Sequence, residues 1–230
     1  MTILITGTSR GIGFDTVKLL SQNADNKVIA VSRKTDSLQE FIEKTNKKNI
    51  QLLPLDLTNF DEVYLYSALS EIQSVDILIN NAGILINKPF LELTDADWKQ
   101  QFEVNVFGLA RLVKAILPKL KAQQGAHILN ISSMGGVQGS SKFPGLSAYS
   151  ASKAAVINMT ECLAEELKED HIKVNCLALG AVQTEMLAEA FPDYKAPLTS
   201  QQMASYLTWF ALNGHQFHNG KVIPVAVSTP

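Results

Sequence analysis

The sequence predicts an α/β fold, a single domain built on a doubly wound, seven-stranded parallel sheet with helices on both faces. Three observations carry that prediction. Short β-rich runs alternate with longer helical patterns along the chain. The runs are apolar on both sides, as strands of a covered parallel sheet must be. No linker, repeat or low-complexity stretch interrupts the 230 residues.

Strands are expected at Thr2–Thr6, Lys27–Ser32, Ile50–Leu53, Asp76–Asn80, Ala126–Ile131, Ile172–Leu177 and Val222–Val227. Helical spacing fills Gly13–Ser21, Asp36–Lys47, Asn59–Ile72, Thr94–Leu120, Ser147–Glu169 and Ser200–Asn213. Asp36, Asn59, Thr94 and Ser200 suit N-caps, and Gly214 suits a helix stop.

Composition narrows the function classes. With 46% hydrophobic residues, 18% charged residues and a net charge of -2, nothing suggests a nucleic-acid surface or a disordered tail. The opening apolar run Ile3-Leu4-Ile5 is cut off by Thr6-Gly7, and no run approaches the roughly 20 apolar residues of a membrane span. A cytoplasmic protein with no nucleic-acid or membrane partner is expected. Cys162 and Cys176 are expected to be buried thiols without a disulfide.

The turn between the first strand and the first helix reads Thr6-Gly7-Thr8-Ser9-Arg10-Gly11-Ile12-Gly13. Glycines there allow a tight bend and close approach of a ligand, and N–H groups at a helix start suit a pyrophosphate. The second strand ends in Ser32-Arg33-Lys34, where an NAD site would place an acidic residue for the ribose hydroxyls. Ser32 offers a hydrogen bond and Arg33 a phosphate partner, with Arg10 as a second cation, so NADP(H) is the expected cofactor. Asp56, in Leu55-Asp56-Leu57, suits either an adenine amino group or a turn. Asn80-Asn81-Ala82-Gly83 places small residues at a strand's carboxyl end, where open α/β sheets bind ligands.

Tyr149 and Lys153 stand four residues apart at an expected helix start and therefore share a face. A unit positive charge about 4 Å from the phenol, at an effective dielectric near 20, is worth about 4 kcal/mol, or about three pKa units. Tyr149 is thus expected to titrate where a catalytic acid is useful.

Together the glycine turn, Asn80 to Gly83, Asn105 in Val104-Asn105-Val106, Ser132-Ser133, Tyr149 with Lys153, and Gly180 to Thr184 resemble the short-chain dehydrogenase/reductase family, in its order, from Thr2 to about Met186. The resemblance implies a single NAD(P)-binding Rossmann domain over 1–230. It implies a tetrad of Asn105, Ser133, Tyr149 and Lys153 beside the nicotinamide, and cofactor contacts from Asn81, Ala82, Gly83, Gly180, Val182 and Thr184. Tyr149 would supply the proton, Ser133 a polarising hydrogen bond, Lys153 a charge and ribose contacts, and Asn105 a water linking Lys153 to solvent. Ser132 competes with Ser133, and the second serine matches the family's position. A homodimer or homotetramer is also implied.

The chain departs from the family in three places. Ser133 and Tyr149 are sixteen residues apart rather than about a dozen, so the loop before Tyr149 is extended. Leu179 stands where proline is usual, which predicts a looser turn at Gly180. The stretch from Pro197 to Pro230 lacks the usual glycine-rich finish.

Substrate is expected against Met134, Phe143, Leu146, Met186, Leu187 and Phe191, in loops at about 134–147 and 180–199, which suits an apolar or aromatic carbonyl compound. His215 and His218 form an HxxH with no further ligand to complete a metal site, and none is expected. The sequence reading is therefore an NADP(H)-dependent oxidoreductase interconverting a ketone or aldehyde with an alcohol. Its alternatives are a 3-oxoacyl thioester reductase and a dinucleotide-binding regulator or scaffold that has lost turnover.

Overall fold

A computed structural model describes residues 1–122 and 125–227. β1 (Thr2–Thr6) leads through the glycine turn into α1 (Gly11–Leu20), then β2 (Lys27–Ser32), α2 (Asp36–Thr45), β3 (Ile50–Pro54), α3 (Glu62–Ala68) and β4 (Ile77–Asn80). The second half runs α4 (Asp95–Phe102), α5 (Gly108–Lys121), β5 (His127–Ser133), α6 (Ser147–Glu166) and β6 (Lys173–Leu179). Two short strands, β7 (Val182–Gln183) and β8 (Leu198–Thr199), pair on either side of α7 (Glu185–Ala190). α8 (Ser200–Asn213) and β9 (Val222–Val225) complete the sequence of elements.

Seven strands form one parallel sheet in the order β3-β2-β1-β4-β5-β6-β9. Because successive side chains of a strand point to opposite faces, Leu4, Leu78 and Ile128 enter one apolar layer with Leu65, Leu112, Ile116 and Val156 of α3, α5 and α6. Ile3, Ile5, Ile77, Ile79 and Leu129 enter the other with Val17, Leu38, Met203 and Phe210 of α1, α2 and α8. The sheet is thus covered on both sides, as its apolar strands require. Strand order reverses between β1 and β4, which opens a crevice at their carboxyl ends.

Several local expectations are corrected. The single helix expected over Thr94–Leu120 is α4 and α5 joined by a π-helical turn at Glu103–Phe107. Asp61, not Asn59, caps α3 by accepting from Val63 N, and Thr199, not Ser200, caps α8 in a reciprocal pair with Gln202. Asp36 is the first residue of α2 and Thr35 its cap. Thr94 caps α4 as expected, in a capping box with Asp97. Cys176 is buried but Cys162 is exposed on α6. Among the described residues no helix is long and apolar enough to cross a membrane.

His215 and His218 pack against rings. His215 lies 5.3 Å from the His127 ring, and His218 stacks on Phe210 at 5.8 Å. His127, wholly buried in β5, donates from Nδ1 to the Ala211 carbonyl at 3.0 Å and accepts at Nε2 from Asn175 at 3.2 Å. Burial holds its pKa down to about 4, against about 6.5 in an unfolded chain. Between those values the unfolded state binds the extra proton, so His127 leaves stability intact above about pH 6.5 and removes about 2–3 kcal/mol as pH falls toward 4. Urea titrations at pH 7 and pH 4.5 should show that loss shrinking in His127→Asn, and an unchanged pH slope would assign it to other groups.

Candidate active site

The crevice is lined first by the turn after β1. Gly7 and Gly11 have φ of +73° and +59°, a left-handed backbone that favours glycine. A Cβ on Gly7 would lie 2.7 Å from Ala82 Cα, and one on Gly13 would lie 2.2 Å from the Gly7 carbonyl oxygen. Asn81 braces this turn. Its Nδ2 donates to the Thr6 and Gly7 carbonyls at 3.0 and 3.1 Å, while Asn81 N and Ala82 N donate to Thr6 Oγ1. Asn81 therefore shapes the cradle rather than presenting its amide to a ligand. Ser9 is half-buried in the turn, and Ile12 packs back onto the core.

The turn is tied to the end of β2, since Gly7 N and Thr8 Oγ1 both donate to the Val31 carbonyl, at 2.9 and 3.3 Å. Arg10 and Arg33 therefore rise from adjoining strand ends. Arg33 is exposed, and its charge helps hold the Asp56 carboxyl below its ordinary value, together with two hydrogen bonds from Thr58 that offset the opposing effect of burial. Those bonds, at 2.9 and 2.8 Å, both fall on Asp56 Oδ1. Asp56 is thus a turn-former, with Leu57 buried beside it. Ser32 commits its hydroxyl proton to the Lys34 carbonyl at 2.6 Å. Arg10 instead forms a two-pronged ion pair with Glu189 of α7.

Asn105, Ser133, Tyr149 and Lys153 converge from three elements. The π-helical turn delivers Asn105, whose Nδ2 donates to the Ile84 carbonyl and to Ser152 Oγ, both at 3.0 Å, and whose Oδ1 accepts from Ile84 N at 2.8 Å. Ser152 Oγ in turn donates to the Tyr149 carbonyl at 2.7 Å. A Cβ on Gly83 would lie 3.2 Å from Asn105 Oδ1 and 3.3 Å from Lys153 Nζ, so both side chains close on that one glycine. Ser133 Oγ accepts from Gly135 N at 3.2 Å and stands near enough to the Tyr149 hydroxyl to pull its pKa down. Ser132 instead donates to the Lys153 carbonyl at 2.8 Å, which leaves it a tie between β5 and α6.

The expected acidification of Tyr149 is not what the structure shows. Burial pushes its pKa up to about 12, only partly countered by Ser133. Lys153 Nζ lies 5.9 Å from the phenol ring centroid and donates to the Ile131 carbonyl at 3.0 Å. Burial also lowers the Lys153 pKa to about 8. An ammonium that donates to the Ile131 carbonyl stabilises the phenolate less than four-residue spacing alone suggests.

The other expected residues separate into two groups. A cavity of about 490 Å³ is lined by Phe143 and Leu146 together with Pro89, Phe90, Pro144 and Ser150. Ser133 itself is outside that lining, though a Cβ on Gly135 would lie 2.9 Å from Ser150 Oγ and 3.6 Å from Ser133 Oγ, which puts Ser150 between the cavity and Ser133. Pro89 and Phe90 were missed from sequence, although an exposed aromatic after a proline was the available signal. Met134, Met186, Leu187 and Phe191 are half-buried and outside that lining, the last three on or beside α7. The Gly180 turn is pinned rather than loose. Gly180 N donates to the Val225 carbonyl at 2.9 Å, and a Cβ there would lie 2.8 Å from Ala226 Cβ. Val182 is buried in β7, and Thr184 caps α7 by accepting from Leu187 N at 3.3 Å. Among the described residues no group of three His, Cys, Asp or Glu side chains is placed to hold a metal ion.

The short chain dehydrogenase family model matches residues 1–195. An uncharacterised oxidoreductase of Staphylococcus saprophyticus is 36% identical over 189 residues, covering 80% of this chain and 75% of the relative. A 3-oxoacyl-acyl-carrier-protein reductase of Chlamydia muridarum is 28% identical over 237 residues, covering 96% of this chain and 94% of the relative. Among solved structures, ElxO with NADP bound superposes with a TM-score of 0.84 at 26% identity, over 97% of this chain and 96% of the other.

Proposed function

The chain belongs to the short-chain dehydrogenase/reductase family, and from that premise we propose that it is an NADP(H)-dependent oxidoreductase interconverting a ketone or aldehyde with its alcohol. The observation that carries the reading is the closure of Asn105 Oδ1 and Lys153 Nζ on Gly83, with the Tyr149 ring 5.9 Å from that ammonium.

The cradle suits a dinucleotide, because left-handed Gly7 and Gly11 turn the chain from β1 directly into the start of α1, whose N–H groups suit a pyrophosphate. When bound, the nicotinamide supplies or accepts hydride. The protein's own residues then handle charge on oxygen. Tyr149, pushed up to about 12, keeps its proton at neutral pH and is set to donate it to a substrate oxygen. Ser133 gives that oxygen a second, polarising hydrogen bond. Lys153, with a pKa near 8, carries positive charge at neutral pH close to where the phenolate forms. Asn105, locked by Ile84 and Ser152, fixes the polar surroundings of that ammonium.

The cavity walls favour an apolar or aromatic carbonyl, since Pro89, Phe90, Phe143, Pro144 and Leu146 offer mainly hydrocarbon. The Chlamydia relative supports a second reading, reduction of a 3-oxoacyl thioester.

Purified protein assayed over ketones, aldehydes, quinones and acyl thioesters should turn over faster with NADPH than with NADH. The substrate that responds separates the two readings. Arg33→Asp should shift the NADPH to NADH preference by about tenfold to a hundredfold, the range of a lost charge-assisted hydrogen bond. Turnover absent across the whole panel would overturn the reading, and an unshifted ratio would remove Arg33 as the 2′-phosphate partner.

A further inference from the structure

The Arg10–Glu189 pair joins residues 179 positions apart across the mouth of the crevice. Arg10 caps the N-terminus of α1 in extended backbone and has no side-chain role in that cap. Its guanidinium grips Glu189 through both nitrogens, with Nη2 to Oε2 at 3.1 Å. The same C-terminal end of α7 is held a second time, because Asn87 Nδ2 donates to the Ala190 carbonyl at 2.8 Å. The last turn of the short helix is therefore moored both to the glycine turn and to the loop after β4.

Arg10 also stands next to the end of β2, since Gly7 and Thr8 both bond to Val31, two residues before Arg33. A guanidinium offers a planar fork that suits a carboxylate or a phosphate. Glu189 occupies the Nη1/Nη2 edge of the fork, so a phosphate that seats on that edge must displace it. Ser32, the other polar candidate there, has its proton committed to the Lys34 carbonyl. The cations at that strand end are Arg33 and Lys34, both exposed, and beside them stands an Arg10 that a carboxylate already holds.

We propose that Glu189 is a specificity-determining residue for the cofactor, competing with the adenosine 2′-phosphate for the Arg10 guanidinium. The inference rests on the NADP(H) reading above. Seating a 2′-phosphorylated nucleotide exchanges Glu189 for phosphate and releases one mooring of α7. A nucleotide without that phosphate leaves the pair intact. Glu189 thereby lowers the preference for NADP(H) below what Arg10 and Arg33 would otherwise give.

Calorimetric titration with adenosine 2′,5′-bisphosphate and with 5′-AMP tests this without turnover. Glu189→Gln should tighten the bisphosphate by about two- to fivefold, the usual ceiling for one exposed ion pair, and change 5′-AMP by less. Arg10→Ala should weaken the bisphosphate by about tenfold, as for a lost charge-assisted hydrogen bond, and in that background Glu189→Gln should have no further effect. Equal tightening of both nucleotides, or tightening that persists without Arg10, would overturn the competition, because it would mark general relief of negative charge. Wild type binding the two nucleotides equally, with Arg10→Ala and Arg33→Asp both silent, would instead show that the NADP(H) reading itself had failed, and the competition with it.

Discussion

Tyr149→Phe should reduce carbonyl turnover by about 10²–10⁴-fold, the usual contribution of a positioned acid, while dinucleotide affinity stays close to wild type. Phenylalanine keeps the ring that Lys153 Nζ faces at 5.9 Å and removes only the hydroxyl. The backbone frame is untouched, because Ser152 bonds the Tyr149 carbonyl and not its side chain. Two neighbouring hydroxyl and thiol groups are not equipped to take over. The Cys176 thiol is pushed up to about 12 by burial, and Ser132 is committed to the Lys153 carbonyl. Steady-state rates on the best substrate of the panel, with dinucleotide affinity measured by fluorescence, separate the two effects. A kcat within tenfold of wild type would assign the proton to another group.

Gly13→Ala should act on stability and cofactor binding together. The added methyl would lie 2.2 Å from the Gly7 carbonyl oxygen and 2.6 Å from Asn81 Nδ2. Neither is the free end of a flexible side chain, since Asn81 Nδ2 already donates to the Thr6 and Gly7 carbonyls. The strain can only be relieved by moving α1 away from β1 or by expelling the Asn81 brace. Overpacking of that kind costs about 1–3 kcal/mol, and either movement deforms the cradle. A lower urea midpoint with nucleotide affinity weakened at least about tenfold is expected, the equivalent of about 1.4 kcal/mol. A variant that melts earlier but binds normally would show that the cradle tolerates the shift.

Much of this was readable in the sequence for local reasons. The seven main strands were found because a parallel sheet covered on both faces leaves unmistakable apolar runs. Gly7 and Gly13 were found because backbone at close quarters admits little else. What escaped depended on distant partners. The sixfold run Glu185–Ala190 is too short to show helical periodicity, and Glu189 reveals itself as Arg10's partner only once the chain is folded. The Tyr149 pKa was misjudged because four-residue spacing says nothing of burial or of Ile131, whose carbonyl takes the Lys153 ammonium. Cys162 was misplaced because α6 turns it outward. Pro89 and Phe90 escaped because only the folded chain brings the segment preceding Tyr149 against them.

The π-helical turn at Glu103–Phe107 has an architectural consequence. Such a turn carries one residue more than α-helical spacing requires, which offsets the two flanking helices by about 100°. With the offset, Asn105 points to Ile84 while Leu112, Val113 and Ile116 of α5 still meet the sheet. Removing a single residue there would force a choice between the amide and the leucine-rich face. The surplus residue is a splice that lets one rod serve two masters, and it ties any drift in this stretch of chain to chemistry and to folding at once.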